Sequence, residues 1–218
     1  PHSLKTIEEL LRQVPWINPR TVEAHLAMPE GVRVFFRPRT PVMMIRQEGK
    51  LVAMVSIDGV VLPIGFSAAD NENLIKVDIP RSVQVDGYGE VVSNPLLQEA
   101  WRIFPEVDQL KALTRLNFTS IQQQADFRTN ASAIAPPLSF VTSDGLEIEW
   151  GRATSTPDPF SVDANNRPLS LERKGRRLSL LMQQFPNLGG VGRVVLDDPL
   201  VKVFDRQGKP LELKKTIH

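Results

Sequence analysis

Cysteine is absent from the 218-residue chain, which excludes disulfides, thiolate nucleophiles and cysteine-held metals together. Such a chain is stable in reducing and oxidising surroundings alike, so this absence assigns no compartment. Histidine is nearly as scarce: only His2, His25 and His218 occur. No two of them have metal-ligand spacing, so no histidine-based metal or acid–base centre is expected, and His25 reads as a partly exposed helix residue. There is no run of about 20 apolar residues to cross a bilayer as a helix. The net charge of +1 supplies no overall field toward nucleic acid or an anionic membrane. No nucleophile elbow, Walker loop or three-glycine dinucleotide fingerprint occurs; Gly87 and Gly89 lack the third glycine. Eighteen prolines against one tyrosine point instead to many short elements joined by rigid turns.

The opening Pro1-His2-Ser3, without an initiator methionine, reads as a cleavage or vector remnant, and the chain is expected to be the soluble part of something longer. Thr6 with Glu9 fits a capping box, and Ile7, Leu10, Leu11 and Val14 form a helical stripe ended by Pro15. Asn18-Pro19 predicts a second helix, with Val22 and Leu26 on its apolar side. Strands follow at 32–36 and 42–46. Residues 1–48 therefore read as a small helix-helix-strand-strand unit.

Residues 49–210 read as a larger domain, a mixed β-sheet with a few helices, before a charged tail at 211–218. The predicted fold class is α+β. Asp58-Gly59 and Asp144-Gly145 mark two hairpins, with type I′ geometry expected at the first. A strand is expected at 74–79, a helix from Asn94-Pro95 to Pro105, and strands at 113–121 and 125–129. Residues 153–170 read as a long surface loop, followed by a basic helix carrying Leu178, Leu181, Met182 and Phe185, then strands at 192–196 and 200–204. Trp16, Trp101 and Trp150 are expected in the core.

Carboxylates are scattered. Glu147 and Glu149 share a strand face and could mimic a catalytic pair, but an i, i+2 acidic pair on a hairpin is ordinarily its solvated side. Asp197-Asp198-Pro199 reads as a turn. The basic run Arg173, Lys174, Arg176 and Arg177 lacks interleaved aromatics, so it reads as a solvated helix start and not as a nucleic-acid patch; contact with lipid headgroups would need an anchor nearby. No catalytic residue, metal or cofactor is expected. What remains is backbone: a sheet must end in edge strands, whose unpaired N–H and C=O groups can template a partner's strand. Val201-Lys202-Val203-Phe204 is a candidate for such an edge.

The order of these segments resembles the extracytoplasmic part of FtsQ/DivIB-type bacterial cell-division proteins, a POTRA domain followed by a β-domain. The likeness is carried by Arg39–Ile45 (RTPVMMI), Val55–Pro63 (VSIDGVVLP), Ser143–Arg152 (SDGLEIEWGR), Glu172–Pro186 (ERKGRRLSLLMQQFP) and Val191–Phe204 (VGRVVLDDPLVKVF). The chain departs from the family in having no strand before Thr6, and no arginine or tyrosine at Leu196-Asp197-Asp198-Pro199.

The resemblance implies a non-catalytic scaffold on the periplasmic face of the inner membrane, anchored by one transmembrane helix outside this chain. It also implies strand addition by a coiled-coil partner of the FtsB/FtsL type along Leu200, Val201, Lys202, Val203 and Phe204. Two alternatives belong to other classes: a POTRA-bearing chaperone-like module of an export or outer-membrane assembly system, and a cell-wall enzyme using Glu147.

Overall fold

Ser3, not Thr6, opens the first helix: its hydroxyl accepts the Thr6 N–H at 3.2 Å, and α1 runs Leu4–Arg12. The structure, a computed structural model, describes residues 3–27, 29, 31–65, 74–124, 136–156 and 169–217. The expected second helix does not form. Asn18 caps only a 3₁₀ turn, Pro19–Thr21, and the chain then extends as β1 (Glu23–Leu26) antiparallel to β2 (Val32–Phe35). Pairing with β2 satisfies the backbone that a helix would have satisfied, and Ala24 is buried by alternation, not by helical spacing. Helix α1 with this two-stranded sheet makes a small unit.

β3 (Pro41–Gln47), expected within that unit, leaves it. It pairs antiparallel with β4 (Lys50–Ser56) and parallel with β6 (Ile75–Ile79). The expected boundary after residue 48 falls inside the β3–β4 hairpin. Glu48 and Gly49 have φ of 52° and 77°, the two positive values that a type I′ turn requires.

At Asp58-Gly59 only Gly59 has positive φ. Its N–H donates to Ser56 O at 2.9 Å, and Ser56 N–H donates to Val60 O at 2.9 Å. This is a three-residue loop closed by a glycine bulge, not the expected type I′ turn. Residues 142–146 repeat it. In each copy a hydroxyl, of Ser56 or Thr142, donates to the aspartate two residues on at 2.5 Å and accepts the first N–H of the returning strand.

The remaining strands are β5 (Val61–Leu62), β7 (Phe118–Gln123), β8 (Leu138–Thr142), β9 (Glu147–Gly151), β10 (Val191–Val195) and β11 (Lys202–Asp205). Among the described residues they complete a nine-stranded mixed sheet ordered β11-β10-β9-β8-β7-β6-β3-β4-β5. Of the three parallel pairs among the described strands, two are joined by helical crossovers, while β3 and β6 are linked through β4 and β5. Helix α2 (Pro95–Thr114) links β6 to β7, and α3 (Leu171–Gln184) links β9 to β10.

Helix α2 passes through Pro105, where a stop was expected. The bond lost there is offset by burying Val107 and Leu110, two and five residues later. It ends only at Arg115, in left-handed conformation. This absorbs the start of the strand expected at 113–121. The two helices meet at Gly175, where a Cβ would lie 3.4 Å from the Leu113 side chain, in ordinary contact.

Both helices pack with Leu97, Ile103, Leu110, Leu178 and Leu181 on one sheet face, over Met43, Ile45, Phe140, Ile148 and Trp150. The other face carries polar side chains in cross-strand register, Arg46, Asp78, Gln122, Ser139 and Glu149 in one row. The chain is α+β. Of the tryptophans, Trp150 is fully buried, while Trp16 and Trp101 are half-buried. The strand expected at 125–129 and most of the 153–170 loop lie outside the described residues.

Candidate functional site

The expected site occupies one end of the large sheet. β11 is its terminal strand and pairs antiparallel with β10. The pairing slips between Val191 and Arg193, which makes Gly192 the extra residue of a bulge. Arg193 lies 5.4 Å from the Phe204 ring and also pairs with Glu149. Lys202 pairs with Asp198.

Beyond β11 the chain turns back. The Asp205 carboxylate accepts the N–H groups of Gln207 and Lys209, both at 2.8 Å, and Gly208 takes φ of 81°. The returning segment then runs beside β11. Leu211 N–H donates to Val203 O at 2.8 Å, Asp205 N–H to Lys209 O at 2.9 Å, and Val201 N–H to Ile217 O at 3.3 Å. Ile217 is buried, and Gln184 holds Lys215 through both its main-chain groups.

The expectation of a bare backbone edge is therefore corrected: the chain's own end covers part of it. Between Leu211 and Ile217 the segment arcs away. Main-chain groups alternate in direction along a strand, so the Val203 N–H points to the same side as its carbonyl, yet the returning segment bonds only the carbonyl. A groove of about 490 Å³ fills this arc. Leu200, Val201, Lys202, Val203 and Phe204 all line it, with Leu211 and Leu213 opposite.

The basic run of α3 is expected to be solvated, but the structure solvates only part of it: Arg176 is exposed and Arg173 half-buried. Lys174 and Arg177 are each 1% exposed. Lys174 Nζ donates to the carbonyls of Trp150 at 2.6 Å and Arg152 at 3.3 Å, and lies 4.8 Å from the Trp150 ring centre. Arg177 donates to the carbonyls of Leu196, Asp198 and Pro199 at 2.6, 2.7 and 3.0 Å. Facing carboxylates are consumed in the same way. Glu106 accepts from Trp150 Nε1 and from the Thr154 N–H and hydroxyl, and Glu99 accepts from Ala153 N–H and the Thr156 hydroxyl. These groups hold the chain after β9 and the β10–β11 connection in place. Sequence reasoning missed them because helical spacing marks a charged face without marking what packs on it.

Glu147 and Glu149 are not a free pair. Glu147 accepts from Gln122 at 3.2 Å, and Glu149 meets Arg193. Burial pushes the Glu149 carboxyl above the ordinary glutamate value, aided by Asp197 and Glu147 and outweighing the opposing pull of Arg193. A carboxyl with a raised folded-state pKa binds its proton more tightly in the native chain than in the unfolded one. Stability is thus expected to fall as pH rises from the ordinary glutamate range through the raised value. In Glu149→Gln this part of the decline should vanish, as urea titrations between pH 4 and 8 would read.

Among the described residues, no group of three or more His, Asp or Glu side chains is placed to hold a metal ion, and no helix is long and apolar enough to cross a membrane. No family model and no curated protein matches this chain.

Proposed function

We propose that this chain is a non-catalytic scaffold of the bacterial division machinery, of the FtsQ/DivIB type. It acts at the periplasmic face of the inner membrane, held by a transmembrane helix outside the sequence given. Its partner is a coiled-coil membrane protein pair of the FtsB/FtsL type, whose extended segment adds to the end of the large sheet. The observation that carries the reading is the gap in main-chain pairing along β11 between Leu211 and Ile217, with the Val203 amide turned into it. An incoming strand would bond that amide, and Phe204 would supply an aromatic anchor. The internal bonding of Lys174, Arg177, Glu99 and Glu106 supports a structural role for the buried charges.

Calorimetric titration against the coiled-coil pair of the source organism tests this. Val203→Pro removes an amide that faces the gap and not β10, so binding should weaken at least about tenfold with β10–β11 pairing retained. Because Val203 is itself buried, Phe204→Ala is the companion variant, with a similar expected loss. Unchanged affinity in Phe204→Ala would remove β11 as the docking strand.

A further inference from the structure

The segment that returns along β11 takes most of the outward backbone of that strand. Val201, Val203 and Asp205 turn their main-chain groups away from β10, and Lys202 and Phe204 turn theirs toward it. Of the outward groups, the Asp205 N–H is taken by Lys209, the Val203 carbonyl by Leu211 and the Val201 N–H by Ile217. The Asp205 carbonyl accepts the Gly208 N–H at 3.1 Å. Among the described residues, the Val201 carbonyl and the Val203 N–H are left unbonded.

Those two groups set a limit on what can dock undisturbed. In a parallel ladder a single residue of an incoming strand bonds both of them. Each further bond needs a group that the returning segment already holds. The nearest is the Val201 N–H, under Ile217.

The two ends of that segment are held by different means. Its near end is built into the turn after β11, where the Asp205 carboxylate accepts the Gln207 and Lys209 N–H groups. Leu211 then bonds Val203 at 2.8 Å. The far end depends on the longer 3.3 Å bond to Val201, on the buried Ile217, and on Gln184, which meets the Lys215 N–H and carbonyl at 3.2 and 2.9 Å. Between the ends, no main-chain bond joins residues 212–216 to β11 among the described residues. Glu212, Lys214, Lys215 and Thr216 are exposed. The far end can therefore swing out while the turn and Leu211 stay in place.

We infer that residues 212–217 form an autoinhibitory flap, and that a partner's extended segment displaces Ile217 from Val201 when it docks on β11. The inference rests on the reading of β11 as the docking strand and adds its regulation. Opening the flap leaves three consecutive outward groups for the incoming backbone: the Val201 N–H and carbonyl and the Val203 N–H. The chain competes with its partner for the first of these. The apparent affinity is then the intrinsic one scaled by the fraction of molecules with the flap open. Loosening the far end without altering β11 should tighten binding, whereas loss of a merely structural contact would not.

Gln184→Ala in the whole chain is the test, since Gln184 bonds the flap from the end of α3. Amide exchange at Val201, read by nuclear magnetic resonance, should quicken about tenfold for the two bonds lost. The Lys202 and Phe204 amides, which face β10, should hold. In calorimetric titration against the coiled-coil pair of the source organism, affinity should rise in the same proportion as Val201 exchange quickens. Ile217→Ala, which trims the buried anchor, is the second variant and should shift both readings in the same direction. Quicker exchange at Val201 with unchanged or weaker binding overturns the flap, and so does exchange at Val201 that neither variant alters. In both cases a loss of affinity in Phe204→Ala would leave β11 as the docking strand. If Phe204→Ala binds like wild type, the docking strand itself is wrong and the flap falls with it.

Discussion

Arg177→Met should lower the stability of the whole chain by about 3–5 kcal/mol, the usual result of stripping one partner from a buried charged network. The side chain is 1% exposed and donates to three carbonyls between Leu196 and Pro199. A charge-assisted bond is worth about 1.5–3 kcal/mol, and each carbonyl left unpaired in the interior adds its own desolvation cost. Methionine refills much of the volume, so the loss is one of hydrogen bonding more than of packing. A chain of this size should melt about 10 °C lower. Arg177→Lys should recover only part of the loss, because one ammonium lacks the guanidinium fork that spans several acceptors. Arg176, one position earlier and exposed, is the control: Arg176→Met should stay within about 0.5 kcal/mol of wild type. If Arg176 and Arg177 behave alike in thermal and urea denaturation, the account of α3 given above is wrong.

Gly192→Ala should have the second-largest effect, concentrated at the end of the sheet. A Cβ at Gly192 would lie 2.6 Å from Asp205 O, 2.7 Å from Arg206 Cα and 2.9 Å from Arg206 N. All three atoms belong to the backbone of the turn that reverses the chain after β11, so no side-chain rotation relieves the contact. Overpacking of this kind costs about 1–3 kcal/mol. The strain should be released by β11 and its turn moving off the bulge, because they are the outermost part of the sheet. Amide exchange should accelerate at Leu211 and Asp205, whose N–H groups tie that turn and the returning segment to β11, while core amides of β3 and β6 hold. Partner affinity at β11 should fall in parallel. A uniform loss across the sheet would instead mean that the two ends unfold together.

Much of the element order was legible, because it rests on local chemistry. Asn94 with Pro95 announced the start of α2, since a side-chain cap and a missing N–H both suit a first turn. The spacing of Leu178 and Leu181 announced α3. The two Asp-Gly pairs marked hairpins, although the turn type at the first differed: one glycine in the left-handed region suffices when the loop has three residues.

The misreadings share a cause. Asn18-Pro19 carries the same local signal as Asn94-Pro95, but β2 offered Glu23–Leu26 a ladder, and tertiary pairing overrode the cap. Pro105 reads as a stop until the core contacts of Val107 and Leu110 are known. The boundary expected after residue 48 falls within Gln47-Glu48-Gly49-Lys50, a tight turn between two strands of one sheet.

For the candidate site, the sequence offered Val201–Phe204 as an extended stretch that could form an edge, and the family resemblance set the docking stretch at Leu200–Phe204. Whether its outer backbone is free depends on where residues 209–217 go, and that path is set by the Asp205 turn, the burial of Ile217 and the grip of Gln184 on Lys215. The same division holds for the charges. Sequence determined that α3 begins with four cations in five residues; only tertiary structure decided that two of them would be buried against carbonyls, because desolvation and hydrogen bonding depend on partners 19–24 residues distant along the chain.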